Sequence, residues 1–243
     1  MEKDAETTIS IVCQTERPFF RCPDNKMDLA VELLDCAKHD QDACKLLYAN
    51  RIFALAVFHL QQAFEKTLKA EMLLSGYYSI KDLKRFRHNV IDATKDFKRR
   101  MATHFNWKPD DSLQMMYDHF LKNRKRIQWQ DCDSLQRILM AVQETRGDWT
   151  EALKMKGLDE HTIRSSWATY FEINILALLT AYHESTTRYP DTGEGELKPS
   201  DYIEGLGIVA AIPDIQLELE YIIGYLERHC IHTKHKQRKR EIS

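Results

Sequence analysis

The chain has 243 residues, 43% of them hydrophobic, enough to bury a core in one large domain or two small ones, which excludes disorder throughout. Against 37 Asp and Glu stand 35 Lys and Arg, a formal charge of -2, so any attraction to nucleic acid or membrane must be local. Eight Gly and six Pro are too few for an all-β fold that turns every ten residues or so, and they point to long helices.

Residues 1–26 read as an N-terminal arm, because Pro18 and Pro23 oppose a helix and no apolar period is sustained. From Met27 the pattern changes: Leu29, Ala30, Leu33, Leu34 and Ala37, then Ala43, Leu46 and Leu47, predict a first amphipathic helix over roughly 27–48. A second helix is expected over 51–75, with Ile52, Leu55, Ala56, Leu60, Ala63, Leu68 and Leu74 as a broad apolar surface and Gly76 as its stop. A third, Ile80 to about Ala102, carries Leu83, Phe86, Val90, Ile91 and Phe97 inward and many Lys and Arg outward.

Residues 103–158 hold shorter helical patterns, Leu113–Leu121 and Leu135–Val142, broken at Pro109 and Gly147. They read as a helical insertion between the third and fourth core helices. Asp159 to about Thr187 then predicts a long helix with Ile163, Trp167, Tyr170, Phe171, Ile175, Leu178, Leu179 and Tyr182 on its apolar face. After the loop Tyr189–Pro199 a last helix is expected from about Ser200 into the 230s, kinked at Pro213. The expected organisation is an all-α, up-and-down helical bundle over 27–235, with a basic tail at 236–243.

The first ten residues are polar and acidic, and no uncharged run approaches the roughly 18 residues that span a bilayer, so a cytoplasmic chain without a membrane segment is expected. Six cysteines lie far apart with no Cys-x-x-Cys pair, which favours reduced thiols over a disulfide or zinc framework. No Gly-rich phosphate loop, His-Glu-x-x-His or Gly-x-Ser-x-Gly occurs, and no cofactor or metal is expected.

On the second helix Gln62, Glu65, Lys66 and Lys69 form a polar stripe. A stripe of amide, carboxylate and two ammoniums holds a phosphate or ribose if it lines a groove. On a solvated face it amounts to a Glu65–Lys69 pair worth about 0.3–0.5 kcal/mol. Arg188 stands at a helix end beside Tyr189 and Asp191, where Arg clamps phosphate and Tyr stacks on a base.

The second helix reads FHLQQAFEKTLKAEMLL from Phe58 to Leu74, and it resembles the signature helix of the HEPN family at Gln61, Gln62, Ala63, Glu65, Lys66, Leu68 and Lys69. Asp40, Ala43, Leu46 and Leu47 resemble the family's first helix, HNVIDATKDF from His88 its third, and RYPD at Arg188–Asp191 a fourth block. The resemblance covers 27–100 and 160–235. It implies a HEPN-like bundle that binds RNA or nucleotide, or a small nucleotidyltransferase partner, in a toxin–antitoxin type system, and that pairs as a homodimer. It places a functional residue at Arg188, and with the residue chemistry above the expected ligand-binding residues are Arg188, Tyr189, Asp191, Gln62, Glu65, Lys66 and Lys69.

Nuclease members of the wider superfamily carry a His separated from the Arg by four to six intervening residues, where His serves as acid or base and Arg stabilises the charged phosphate. Here Gly193, Glu194 and Gly195 stand at those places. The expectation is therefore a catalytically weak or inactive chain with no assigned catalytic residue. The alternatives are a diverged metal-independent endoribonuclease and a structural homo-oligomer. Arg99–His104 and Arg228–His235 have the nuclease spacing away from the family position. His183 is expected to be buried and hydrogen-bonded, and His88 to cap or pack a helix. The run RHCIHTKHKQRKR, Arg228–Arg240, reads as a basic end that holds phosphates or stays solvated.

Overall fold

The computed structural model describes residues 24–105, 167–181, 183, 187–188 and 197–242. Every described element is helical, and there is no strand among the described residues. Residues 1–23 of the expected arm and 106–158 of the expected insertion lie outside them, whereas 24–26, read as the end of the arm, already belong to the first helix.

Helix α1, Asp24–Ala49, buries Met27, Ala30, Leu34, Ala37, Gln41 and Cys44, whose steps of three and four draw a single seam along it. Leu29 and Leu33 only flank that seam, and Leu46, expected inward, is exposed. The helix ends in a Schellman motif: Ile52 N–H donates to the Leu47 carbonyl at 2.9 Å, and Arg51 N–H to that of Tyr48 at 2.9 Å. Arg51 occupies the left-handed position, φ 60°, where glycine is usual.

Three residues later α2 begins, Phe53–Leu74, and a connection this short folds it back against α1. Helix α2 is central: Phe53, Val57, Leu60, Phe64 and Leu68 are buried on one side and Ala56, Ala63, Ala70 and Leu74 on another, so it needs more than one neighbour. Ile52 and Leu55 were expected on its apolar surface. Both are exposed, because they lie where the α1–α2 turn leaves the core.

The expected third helix is two. Helix α3, Ile80–Phe86, starts at a Ser79–Asp82 capping box, and α4 runs Val90–Phe105. Between them Arg87 turns left-handed, φ 47°, and the Asn89 side chain accepts from the Asp92 N–H at 3.0 Å, which caps α4. Hydrophobic periodicity runs through this corner because Leu83, Phe86, Val90 and Phe97 face the same core on both sides of it.

Helix α5, Trp167–Ala181, packs on α2, α4 and a C-terminal helix, with Ile173, Ile175, Leu176, Ala177 and Leu179 buried. The Thr187 N–H bonds the His183 carbonyl at 3.2 Å, a helical step just before Arg188. The expected single last helix is a 3₁₀ turn at Pro199–Asp201, a short α6, Gly207–Ala210, and α7, Ile212–Ile242. Pro213 does not kink α7; it sits in its first turn, where a missing N–H has no partner to lose. Helical backbone continues to Ile242, within the segment read as a basic tail.

Polar ties fix α7 on α1. Gln41 donates to the Gln216 carbonyl at 3.0 Å, and the Gln216 amide contacts Cys44 Sγ at 2.9 Å. Burial pushes the Cys44 thiol up to about 11, so it packs as a thiol rather than reacting as a thiolate. Cys36 and Cys44 form no disulfide. No described helix is long and apolar enough to cross a membrane.

Candidate functional site

The α2 stripe is not a solvated face. Glu65 is only 3% exposed, yet it has partners for its charge: Lys69 Nζ lies 2.6 Å from Oε1, His88 Nδ1 3.0 Å from Oε1, and the Gln61 amide 3.4 Å from Oε2. The expected i,i+4 pair is therefore present, but desolvated and extended into a network. Lys69 also donates to the Arg87 carbonyl at 2.5 Å, and Gln62 donates to Gln61 at 2.6 Å. The left-handed Arg87 corner turns its carbonyl toward Lys69, and the corner brings His88 to Glu65. His88 is thus an exposed partner of the buried carboxylate, not a packed or capping residue.

Lys66, read as part of the same stripe, belongs elsewhere. It turns toward α1 and pairs with Asp40, which also holds His59 Nδ1 at 2.9 Å. Asp40, Lys66 and His59 make a second polar group, half-buried between α1 and α2.

Arg188 is exposed, and its guanidinium carbon lies 4.9 Å from the centroid of the Phe58 ring. Phe58 stands one helical turn before Gln62, so the Arg188 cation meets the N-terminal end of the stripe. The Phe58 ring in turn meets His59 edge-on, with centroids 5.3 Å apart. Tyr189 and Asp191 lie outside the described residues.

His183 is fully buried, with Nδ1 2.7 Å from the Tyr202 hydroxyl. Burial drives its pKa down to about 3, so it is a neutral packing residue, as expected, and no acid or base for bulk ligand. The side chains of His104, His232 and His235 lie outside the described residues. Among the described residues no three His, Cys, Asp or Glu gather to hold a metal.

Sequence reasoning gave no site role to Phe58 and His59, nor to Asp40 and Gln61, which it marked only as positions of the family resemblance. The only sequence signal for Phe58 is its place four residues before Gln62; nothing local ties Asp40 to His59.

The chemistry available is a bidentate cation on an aromatic platform, an amide one turn away, and a buried carboxylate that fixes an ammonium. Such a surface can take a phosphate at Arg188 and a polar ring or ribose along Gln62.

A family model for the HEPN domain matches residues 30–144. The match takes in α1 from Ala30, α2 to α4 and the polar stripe, runs on through 103–144 of the segment read as an insertion, and ends before Arg188. No curated protein and no solved structure matches the chain. Every described element is helical, and over residues 30–144 the chain matches the HEPN domain family.

Proposed function

We propose that this chain binds RNA or a nucleotide on the surface formed by Arg188, Phe58 and Gln62, with Lys69 held beside it by Glu65, and that it is catalytically weak or inactive. The observation that carries the reading is the seat of Arg188 on Phe58. A helix-end arginine from the fourth sequence block meets the helical turn of α2 that precedes the polar stripe, so residues far apart in sequence form one surface. The HEPN match supports a nucleotide- or RNA-related function for that surface. The resemblance of the stripe and of RYPD to HEPN proteins further supports a homodimer that works beside a small nucleotidyltransferase in a toxin–antitoxin type system.

Anisotropy with a labelled single-stranded oligoribonucleotide and calorimetry with mononucleotides test the binding. Arg188→Ala removes charge-assisted bonds worth roughly 1.5–3 kcal/mol and weakens binding about tenfold or more. Its melting temperature stays close to wild type, because the side chain is exposed. Unchanged affinity, or an unfolded variant, would make RYPD a structural corner and remove the site.

A second reading, a metal-independent endoribonuclease, is favoured by the Asp40–His59 pair. With Nδ1–H donated to Asp40, the imidazole presents Nε2 for proton transfer, beside the Phe58 ring that carries Arg188. Cleavage of single-stranded RNA in EDTA that disappears in His59→Ala, with melting unchanged, would replace the binding reading by this one.

A further inference from the structure

The cations of α3 and α4 are segregated from the rest of the chain. Residues 80–100 contain eight Lys and Arg and three Asp, in a protein whose formal charge is -2. Lys81, Lys84, Arg85, Arg87, Lys95 and Arg99 are all exposed. The carboxylates are engaged within the fold instead. Asp82 caps α3, accepting from the Ser79 N–H at 2.9 Å and the Ser79 hydroxyl at 2.7 Å. Asp92 accepts from the Asn89 amide at 2.7 Å.

Asp96 is nearly buried among the Tyr78 hydroxyl at 3.1 Å, Arg100 at 2.9 Å, Arg99, and Arg85 at 3.7 Å. Burial alone would raise its pKa, but hydrogen bonds from Arg99 and Tyr78 and the charge of Arg100 hold the carboxyl below its ordinary value. Three guanidiniums thus surround one carboxylate, and the surplus positive charge faces outward.

That surplus borders a cleft of about 470 Å³ between α3 and α4, lined by Arg85, Asn89, Lys95 and Arg99 around Asp92 and Asp96. Asn89 follows His88, the partner of Glu65, so the cleft adjoins the C-terminal end of the α2 stripe. We propose that this cleft is a phosphodiester-backbone track for single-stranded RNA, continuing from the α2 site. The proposal rests on the reading of that site as a nucleotide or RNA surface.

Nucleic acid fits the cleft better than a membrane or an acidic protein. A recess with cations on both walls suits a line of phosphates, whereas an anionic bilayer is met by a flat basic face with apolar side chains projecting from it. Residues 80–100 contain none of the exposed large hydrophobics of the described chain, which are Leu46, Ile52, Leu55, Ile203, Leu217 and Ile231.

The test compares wild type, Arg85→Ala/Lys95→Ala and Arg188→Ala against a labelled 12-nucleotide RNA and against UMP, over a range of salt. The double variant should bind the 12-mer at least tenfold more weakly. Its salt slope should fall by roughly 1.4, since each phosphate contact on a single strand contributes about 0.7. Its UMP affinity should be unchanged. Lys95→Ala alone, on the exposed face of α4, should move the 12-mer in the same direction and guards against disturbance of Phe86 by loss of Arg85.

An unchanged 12-mer affinity and slope in the double variant overturns the track, whatever Arg188→Ala does. So does a wild type that binds no 12-mer, or one that binds polyglutamate or phosphatidylserine vesicles as tightly as RNA. Loss of 12-mer binding in the double variant, with no effect of Arg188→Ala on either ligand, sinks the α2 reading and leaves the cleft as an independent RNA site.

Discussion

The Arg188 guanidinium rests on the face of the Phe58 side chain at 4.9 Å from its centroid, joining the turn at Thr187 and Arg188 to the helical turn of α2 that precedes the polar stripe. Cation–π contacts at exposed sites contribute about 0.5–1 kcal/mol. The ring therefore acts here chiefly by orienting the cation.

Phe58→Leu keeps the apolar bulk but removes the π face. It should weaken RNA or nucleotide binding about two- to fivefold, less than Arg188→Ala, and Phe58→Tyr should restore it. In an Arg188→Ala background Phe58→Leu should have no further effect. Additive losses in that double-mutant cycle, read by anisotropy, would mean that Phe58 and Arg188 act separately.

The buried Glu65 network predicts a stability effect that a solvated pair cannot give. Glu65→Ala strands Lys69, whose side chain is 19% exposed, and should cost about 2–3 kcal/mol in urea unfolding, against at most about 0.5 for an exposed i,i+4 pair. Replacing both charges, Glu65→Leu with Lys69→Met, should recover much of the loss, because the expensive state is one charge left without its partner. A loss below about 0.5 kcal/mol for Glu65→Ala would show that the network is not desolvated in solution.

Two buried titratable groups act in opposite directions across mildly acid pH. His183 falls from 6.5 to about 3 through burial, so the unfolded chain takes up a proton that the fold refuses, and stability is lost as pH falls below 6.5. Burial raises the half-buried Glu71 carboxyl from 4.5 to about 7. Its stability contribution is full below pH 4.5 and is lost as pH rises through 7.

Between about pH 4.5 and 6.5 the two slopes, each near 1.4 kcal/mol per pH unit at most, oppose one another. Glu71→Gln should unmask a steep loss of stability on acidification, and His183→Leu a gain. Urea midpoints measured at pH 4.5, 5.5 and 6.5 check this. Parallel profiles for the two variants would contradict both assignments.

Apolar spacing fixed where the long helices lie, since a face that must leave water repeats every three or four residues wherever its neighbours are. That is why α2 and α5 fall within the expected spans, and α1 overruns its own by only three residues at the start and one at the end. The same spacing could not find the Arg87–Asn89 corner, because the inward residues keep their rhythm across it. What reveals the corner is a left-handed residue and the Asn89 cap.

The sequence by itself also marked the polar letters of the stripe and the helix-end Arg188. Tertiary structure alone decided what they do. Glu65 is buried because His88, 23 residues on, and the Arg87 carbonyl close over it and Lys69. Lys66 leaves the stripe because Asp40, 26 residues back, draws it toward α1. Arg188 reaches the stripe because α5 packs on α2. A helical pattern records which side of a helix avoids water, but the partner of a buried charge comes from whichever element covers it, and that depends on chain crossings no local pattern contains.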